Sequence, residues 1–254
     1  MRAALPLSAR VVAQASVVRT LLAMIQEPSA DEVLALEQHL TRLATDGDVE
    51  KYLSAMRACP ATARMLDERY LAPPYTLDDL ERCAPGTLGH AYRQHMIEND
   101  LRPDYWVRPG APGSRRSASI APDDDFAYTR LRLYQTHDVW HAVTGYPTTV
   151  LGEAAIVGFY LGHFERHMGD RAGAAAAFSA ILAGTLVLNA ALFRQDRITH
   201  VFRALVEGWT RGQAADSFFA VRWEEQWDRP LAELRAAMHV GPSRYSRPDV
   251  ALAA

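Results

Sequence analysis

The sequence predicts an all-α, single-domain, multi-helix bundle, on three observations. Apolar residues recur at steps of three and four along most of the chain, and period-two alternation is almost absent. N-cap residues and helix breakers fall between these periodic stretches, so connections are short. Of the 254 residues, 49% are hydrophobic, enough for one sizeable core. The predicted domain spans 1–254, with a mobile surface loop at about 108–122 and a disordered tail at about 241–254.

The first helix is predicted from Val11, Ala15, Val18, Leu22 and Ile25, which fall on one face. The same stretch carries Arg2, Arg10 and Arg19 and no acid before Glu27, a composition that transit peptides share. The packed helix is the reading adopted. Ser29-Ala-Asp-Glu32 reads as a capping box opening a second helix, with Val33, Leu36, Leu40 and Leu43 on its buried face. Beyond the break at Pro73-Pro74, Thr76 with Asp78 and Asp79 can open another. The segment from Arg108 to Ser117 gathers Pro, Gly and Ser and is the clearest loop.

A further helix runs from about Asp124 to Thr144, with Pro122 and three aspartates at its positive dipole end. Gly145 suits its C-terminus, Pro147 prevents continuation, and Thr148 caps the next helix, marked by Ile156, Tyr160, Leu161, Phe164 and Met168. Ala172–Phe193 is apolar for about one bilayer span, but Ser179, Thr185 and Asn189 interrupt it, which favours a buried helix. Ile198, Val201, Phe202, Leu205 and Trp209 mark a later helix. Phe219, Trp223, Trp227, Leu231, Leu234 and Met238 trace the last one, kinked at Pro230.

Composition excludes several functions. A net charge of −3 with dispersed basic residues gives no footprint for nucleic acid. Two unpaired cysteines, Cys59 and Cys83, read as small buried apolar residues and exclude a disulfide scaffold. There is no Gly-x-Ser-x-Gly elbow, Walker loop or dinucleotide fingerprint.

What remains is the stretch HDVWHAVTGYPTTVLGE. At about 100° per residue, His137, Asp138 and His141 share one sector of their helix. A histidine pair at this spacing is by itself commonly exposed or locally bonded. Glu153, at matched depth on a helix returning antiparallel, converts it into a candidate four-donor site between two helices. Two imidazole nitrogens with two carboxylate oxygens suit one divalent ion, and zinc, ferrous iron and manganese all accept such a set. His163 and His167 form a second pair, but Glu165 between them points elsewhere, and they read as surface histidines. Tyr134, one turn before Asp138, is a candidate for orienting the donors, with plain packing as the alternative.

HDxxH, Gly-x-Pro and then Glu153 resemble the metal motif of the coenzyme Q biosynthesis protein four family. Pro85-Gly-Thr-Leu-Gly89 with Tyr92 and Asn99, Phe126-Ala-Tyr128, and Arg222-Trp223-Glu224 resemble other segments of that family in order. The resemblance runs from about residue 8 to 240 and implies an all-α fold linked to ubiquinone synthesis. It assigns His137, Asp138, His141 and Glu153 as both metal ligands and catalytic residues, with zinc as the usual ion. The implied reaction is oxidative decarboxylation of a polyprenylated hydroxybenzoate, in which one ring carbon loses CO2 and gains a hydroxyl. Alternatives are a non-catalytic prenyl-lipid-binding scaffold for other quinone-biosynthesis proteins, at a peripheral membrane site, and a relative recruited to another aromatic or polyketide acid. A homo-oligomer is expected. The Arg108–Ser117 loop and Pro230 depart from the family pattern and point to a divergent substrate. Because the resemblance starts so early, a bacterial cytoplasmic protein, associated with the inner membrane surface, is expected.

Overall fold

In the computed structural model, residues 6–73, 75–103 and 124–245 are described; the predicted 108–122 loop and most of the 241–254 tail lie outside them. Among the described residues every regular element is helical, and the single bridge, Thr87 with Pro230, belongs to no strand. The order is α1 (Leu7–Gln26), α2 (Ala30–Leu43), α3 (Asp46–Ala58), α4 (Pro60–Glu68), α5 (Leu88–Glu98), α6 (Asp125–Thr144), α7 (Val150–Met168), α8 (Ala172–Phe193), α9 (Ile198–Ala214) and α10 (Leu231–Ala237).

Local chemistry sets most of the boundaries. Ser29 accepts from the Glu32 amide to open α2, Thr45 and Asp48 form a reciprocal capping box on α3, and Asp124 accepts from the Phe126 amide to open α6. Gly145 closes α6 at φ 77°, a left-handed conformation that a Cβ would strain. Thr149, not Thr148, caps α7. The Thr148 hydroxyl instead contacts the Asn99 side-chain oxygen at the end of α5.

Other expectations need correction. Thr76 and Asp79 do exchange capping bonds, yet only turns follow, because Pro85-Gly86 intervenes before Thr87 caps α5. The last predicted helix is broken. Trp223–Gln226 is a 3₁₀ turn, and Pro230 stands before α10 rather than inside it. On α1 the helix forms, but Ala13, Ser16, Thr20 and Met24 are the buried residues, and Val11, Val18 and Leu22 of the predicted face point outward. Small residues let α1 sit close to its neighbours, an advantage that hydrophobicity alone does not register. Likewise α8 buries only one face, with Leu188, Leu192 and Phe193 exposed. Leu7–Gln26 and Val150–Phe193 pass the length and hydropathy test for a membrane span, a test that core helices of soluble proteins also pass.

The core is one contiguous cluster, with α7 at its centre. A seam of glycines joins α7 to α9. A Cβ on Gly158 would fall 2.2 Å from the Leu205 carbonyl oxygen, and one on Gly208 would fall 1.9 Å from that of Ala155. Backbone therefore meets backbone here, and α7 is fixed closely enough to hold whatever its opposite face carries.

Candidate metal centre

His137 and His141 lie one turn apart on α6, and Glu153 lies in the first turn of α7, so the sharp Gly145–Thr149 reversal brings all three together. Their donor atoms lie within 4.8 Å of one another. The His141 and His137 Nε2 atoms are 3.2 Å apart, and the Glu153 carboxylate oxygens stand 3.5 Å from His141 and 3.9 Å from His137.

The His141 Nδ1 lies 2.9 Å from the Tyr146 carbonyl oxygen, which can only accept, so Nδ1 carries the proton. The Nε2 lone pair is thereby left facing the other two donors. This is the tautomer a metal-binding imidazole needs. The end of the helix that leads into this turn is itself held. Arg211 donates to the Thr144 carbonyl at 2.8 Å and lies over the Tyr146 ring at 4.6 Å, while Arg235 donates to the Val143 and Ala142 carbonyls. Two guanidinium groups thus satisfy the carbonyls left open at the C-terminus of α6 and oppose its negative dipole end.

Burial lowers the His137 and His141 pKa values, so both rings are neutral at neutral pH. Burial also pushes the Glu153 carboxyl up to about 7, against the pull of His137. The Glu153 side chain keeps 36% of its exposure, so its desolvation is partial. A carboxylate destabilised beside two neutral imidazole lone pairs is an arrangement that a divalent cation would relieve, so the donor set fits one.

Asp138 is not among the three whose donors converge. Its charge is felt by Tyr75, Tyr92, Tyr160 and His95, as well as by His137 and Glu153. Tyr134 is half-buried, and its desolvation raises its hydroxyl pKa. The group that orients His141 is the Tyr146 carbonyl, a main-chain atom that leaves no side-chain signal in sequence.

The second histidine pair departs from expectation. His163 is fully buried, accepts from the Phe218 amide at Nε2 (3.0 Å) and meets the Gly212 carbonyl oxygen at Nδ1 (3.2 Å). His167 is half-buried and meets the Ala215 carbonyl oxygen at 3.2 Å. Both are structural, because α9 covers them, and no periodicity in α7 announces that cover. Sequence reasoning also missed His95 on α5, whose ring stacks on His141 with centroids 5.3 Å apart and planes 17° from parallel. Burial drops its pKa to about 4, so it too is a neutral imidazole. Arg132 and Glu224 form a buried bidentate pair at 2.5 and 2.8 Å, tying α6 to the segment before α10.

The family model described as "Coenzyme Q (ubiquinone) biosynthesis protein Coq4" matches residues 3–243. A mitochondrial ubiquinone biosynthesis protein COQ4 homolog of Aedes aegypti is 26% identical over 164 residues, 65% of this chain and 52% of that protein. The Drosophila ananassae homolog is 24% identical, over 86% of this chain and 74% of its own length. The Uncinocarpus reesii protein is 27% identical, over 92% and 75%. The chain therefore spans between about half and three quarters of these relatives. A crystal structure described as a candidate ubiquinone biosynthesis protein of Nostoc punctiforme superposes with a TM-score of 0.70, at 22% identity, over 90% of this chain and 97% of that one; at that identity the likeness is one of fold. The expectation of a bacterial cytoplasmic protein does not stand. The animal and fungal relatives are named mitochondrial and extend beyond the matched stretch, so an early start of the resemblance cannot fix a compartment.

Proposed function

The chain belongs to the coenzyme Q (ubiquinone) biosynthesis protein Coq4 family, and from that premise we propose that it is a metal-dependent enzyme acting on a polyprenylated hydroxybenzoate-type acid. The observation that carries this reading is the convergence of His137, His141 and Glu153, with the His141 tautomer set by the Tyr146 carbonyl. His137, His141 and Glu153 would hold one divalent ion, zinc first, and Asp138, which stands outside that converging trio, would have to turn toward it to serve as a fourth donor. A bound ion would supply Lewis-acid polarisation of a carboxylate or phenolate oxygen.

The remaining work falls to the protein. Arg211 and Arg235 hold the end of α6, so that His141 keeps its orientation. Trp140 stacks on Tyr160 at 4.5 Å, and Tyr160 stacks in turn on His137, a hydrophobic wall that keeps water from one side of the donors. In the proposed reaction the ring–carboxyl bond breaks and CO2 leaves. One atom of dioxygen stays on that ring carbon and the other leaves as water. For a para-hydroxy acid the ring supplies the electrons and departs at the quinone level; an external two-electron donor returns the hydroxylated product.

Metal-loaded protein incubated with a prenylated hydroxybenzoate should release CO2 only in the presence of both ion and oxygen, and Glu153→Ala should abolish the release. A Glu153→Ala protein that still restores quinone synthesis in a deficient strain would favour a second reading, a prenyl-lipid-binding scaffold in which the ion serves only folding. That reading draws support from the apolar side chains left exposed on α1, α8 and α9, among them Leu22, Leu192 and Phe202.

A further inference from the structure

We propose that His95 is a further substrate-contacting group of this site, presenting its Nε2 to an oxygen of the bound aromatic acid without ligating the ion. The inference rests on the metal-site reading above and adds to it a residue on a different helix.

The helix turn that carries His95 is held at its C-terminal end. The Asn99 amide donates to the His95 carbonyl oxygen at 2.7 Å, and the other end of that amide meets the Thr148 hydroxyl at the α6–α7 reversal. The end of α5 is thereby tied to the turn that positions Glu153. The His95 ring then lies face to face with His141. Parallel stacking uses the ring faces and leaves the ring edges for other partners.

One of those edges is unused. The His95 Nε2 has no solvent contact and no hydrogen-bond partner. A buried polar nitrogen left unpaired is destabilising, and a ligand oxygen would relieve it. His95 is outside the set of donors lying within 4.8 Å of one another, and its ring stacks on the face of His141. A neutral imidazole there can donate to an oxygen of a carboxylate or phenolate, the groups that an aromatic hydroxy acid brings to the site.

Cobalt reports on both halves of the proposal, because its visible bands follow the donor set while the added acid perturbs them. Wild-type protein, His95→Phe and His95→Gln are loaded with Co2+ and titrated with 4-hydroxybenzoate. Phenylalanine keeps a stacking ring and removes the nitrogen; glutamine keeps a donor at similar reach. The expected result is an unchanged cobalt spectrum and cobalt affinity in both variants. The dissociation constant for the acid should rise about tenfold or more in His95→Phe and be largely restored in His95→Gln, as one lost hydrogen bond to a charged oxygen requires. Equal acid affinity in wild type and His95→Phe would overturn the proposal. So would a cobalt spectrum altered by His95→Phe before acid is added, since His95 would then be a ligand. If His95→Phe does not fold, His95→Leu takes its place, with the same outcomes. Wild-type protein that takes up no cobalt would instead overturn the metal-site reading and this inference with it.

Discussion

Consecutive helices carry histidine pairs of identical spacing, His137/His141 on α6 and His163/His167 on α7, and the two have opposite fates. His163 commits both ring nitrogens to main-chain partners, Gly212 and Phe218, and sits among Trp140, Phe159 and Phe219 as a polar rivet in an aromatic core. His141 commits one nitrogen to a main-chain carbonyl and turns the other toward a histidine and a carboxylate. Spacing places the rings. The partner of the second nitrogen decides whether the pair holds structure together or can hold an ion.

The largest expected effect separates the pairs by stability. His163→Leu leaves a buried carbonyl and a buried amide unpaired, which should cost about 3 kcal/mol and lower Tm by roughly 6–12 °C. Metal affinity per folded molecule should not change. Calorimetry alongside a cobalt titration checks both, and a matching loss of metal affinity would break the distinction.

A second effect is a pH dependence of opposite sign at the two sites. Burial lowers His163 from 6.5 to about 3, so between those values the unfolded chain binds the extra proton. Stability from this group is complete above pH 6.5 and is lost as pH falls, by up to about 1.4 kcal/mol per pH unit. Glu153 is raised from 4.5 to about 7, so across that interval the folded protein binds the extra proton and metal-free stability falls as pH rises. Its partial exposure makes the second slope the shallower. Urea midpoints of metal-free protein across this range should lose the acid-side decline in His163→Leu and the opposing slope in Glu153→Gln.

The smallest effect probes the support of His141. Arg211→Met removes the donors to Thr144 and Gly241 and the cation over Tyr146, and so loosens the carbonyl that sets the His141 tautomer. Metal affinity should weaken about tenfold, as for groups that orient a ligand rather than serve as one, and the unpaired Thr144 carbonyl should cost about 1 kcal/mol of stability. An unchanged affinity would mean that the turn holds its shape without the arginine.

The helical class, most helix boundaries and the convergence of His137, His141 and Glu153 were legible in the amino-acid pattern. Each is a matter of short-range physics: period, capping chemistry, and a tight reversal between two adjacent helices. The αL glycine at 145 and the acid at matched depth needed no distant part of the chain. Long-range packing chose which face of α1 turns inward, because small side chains permit close approach where larger apolar ones do not. It also decided the role of His163, through a helix some 50 residues further on whose glycines press its backbone onto α7. His95, Arg211 and Arg235 reach the site from three separate segments, and no local pattern records those long-range contacts.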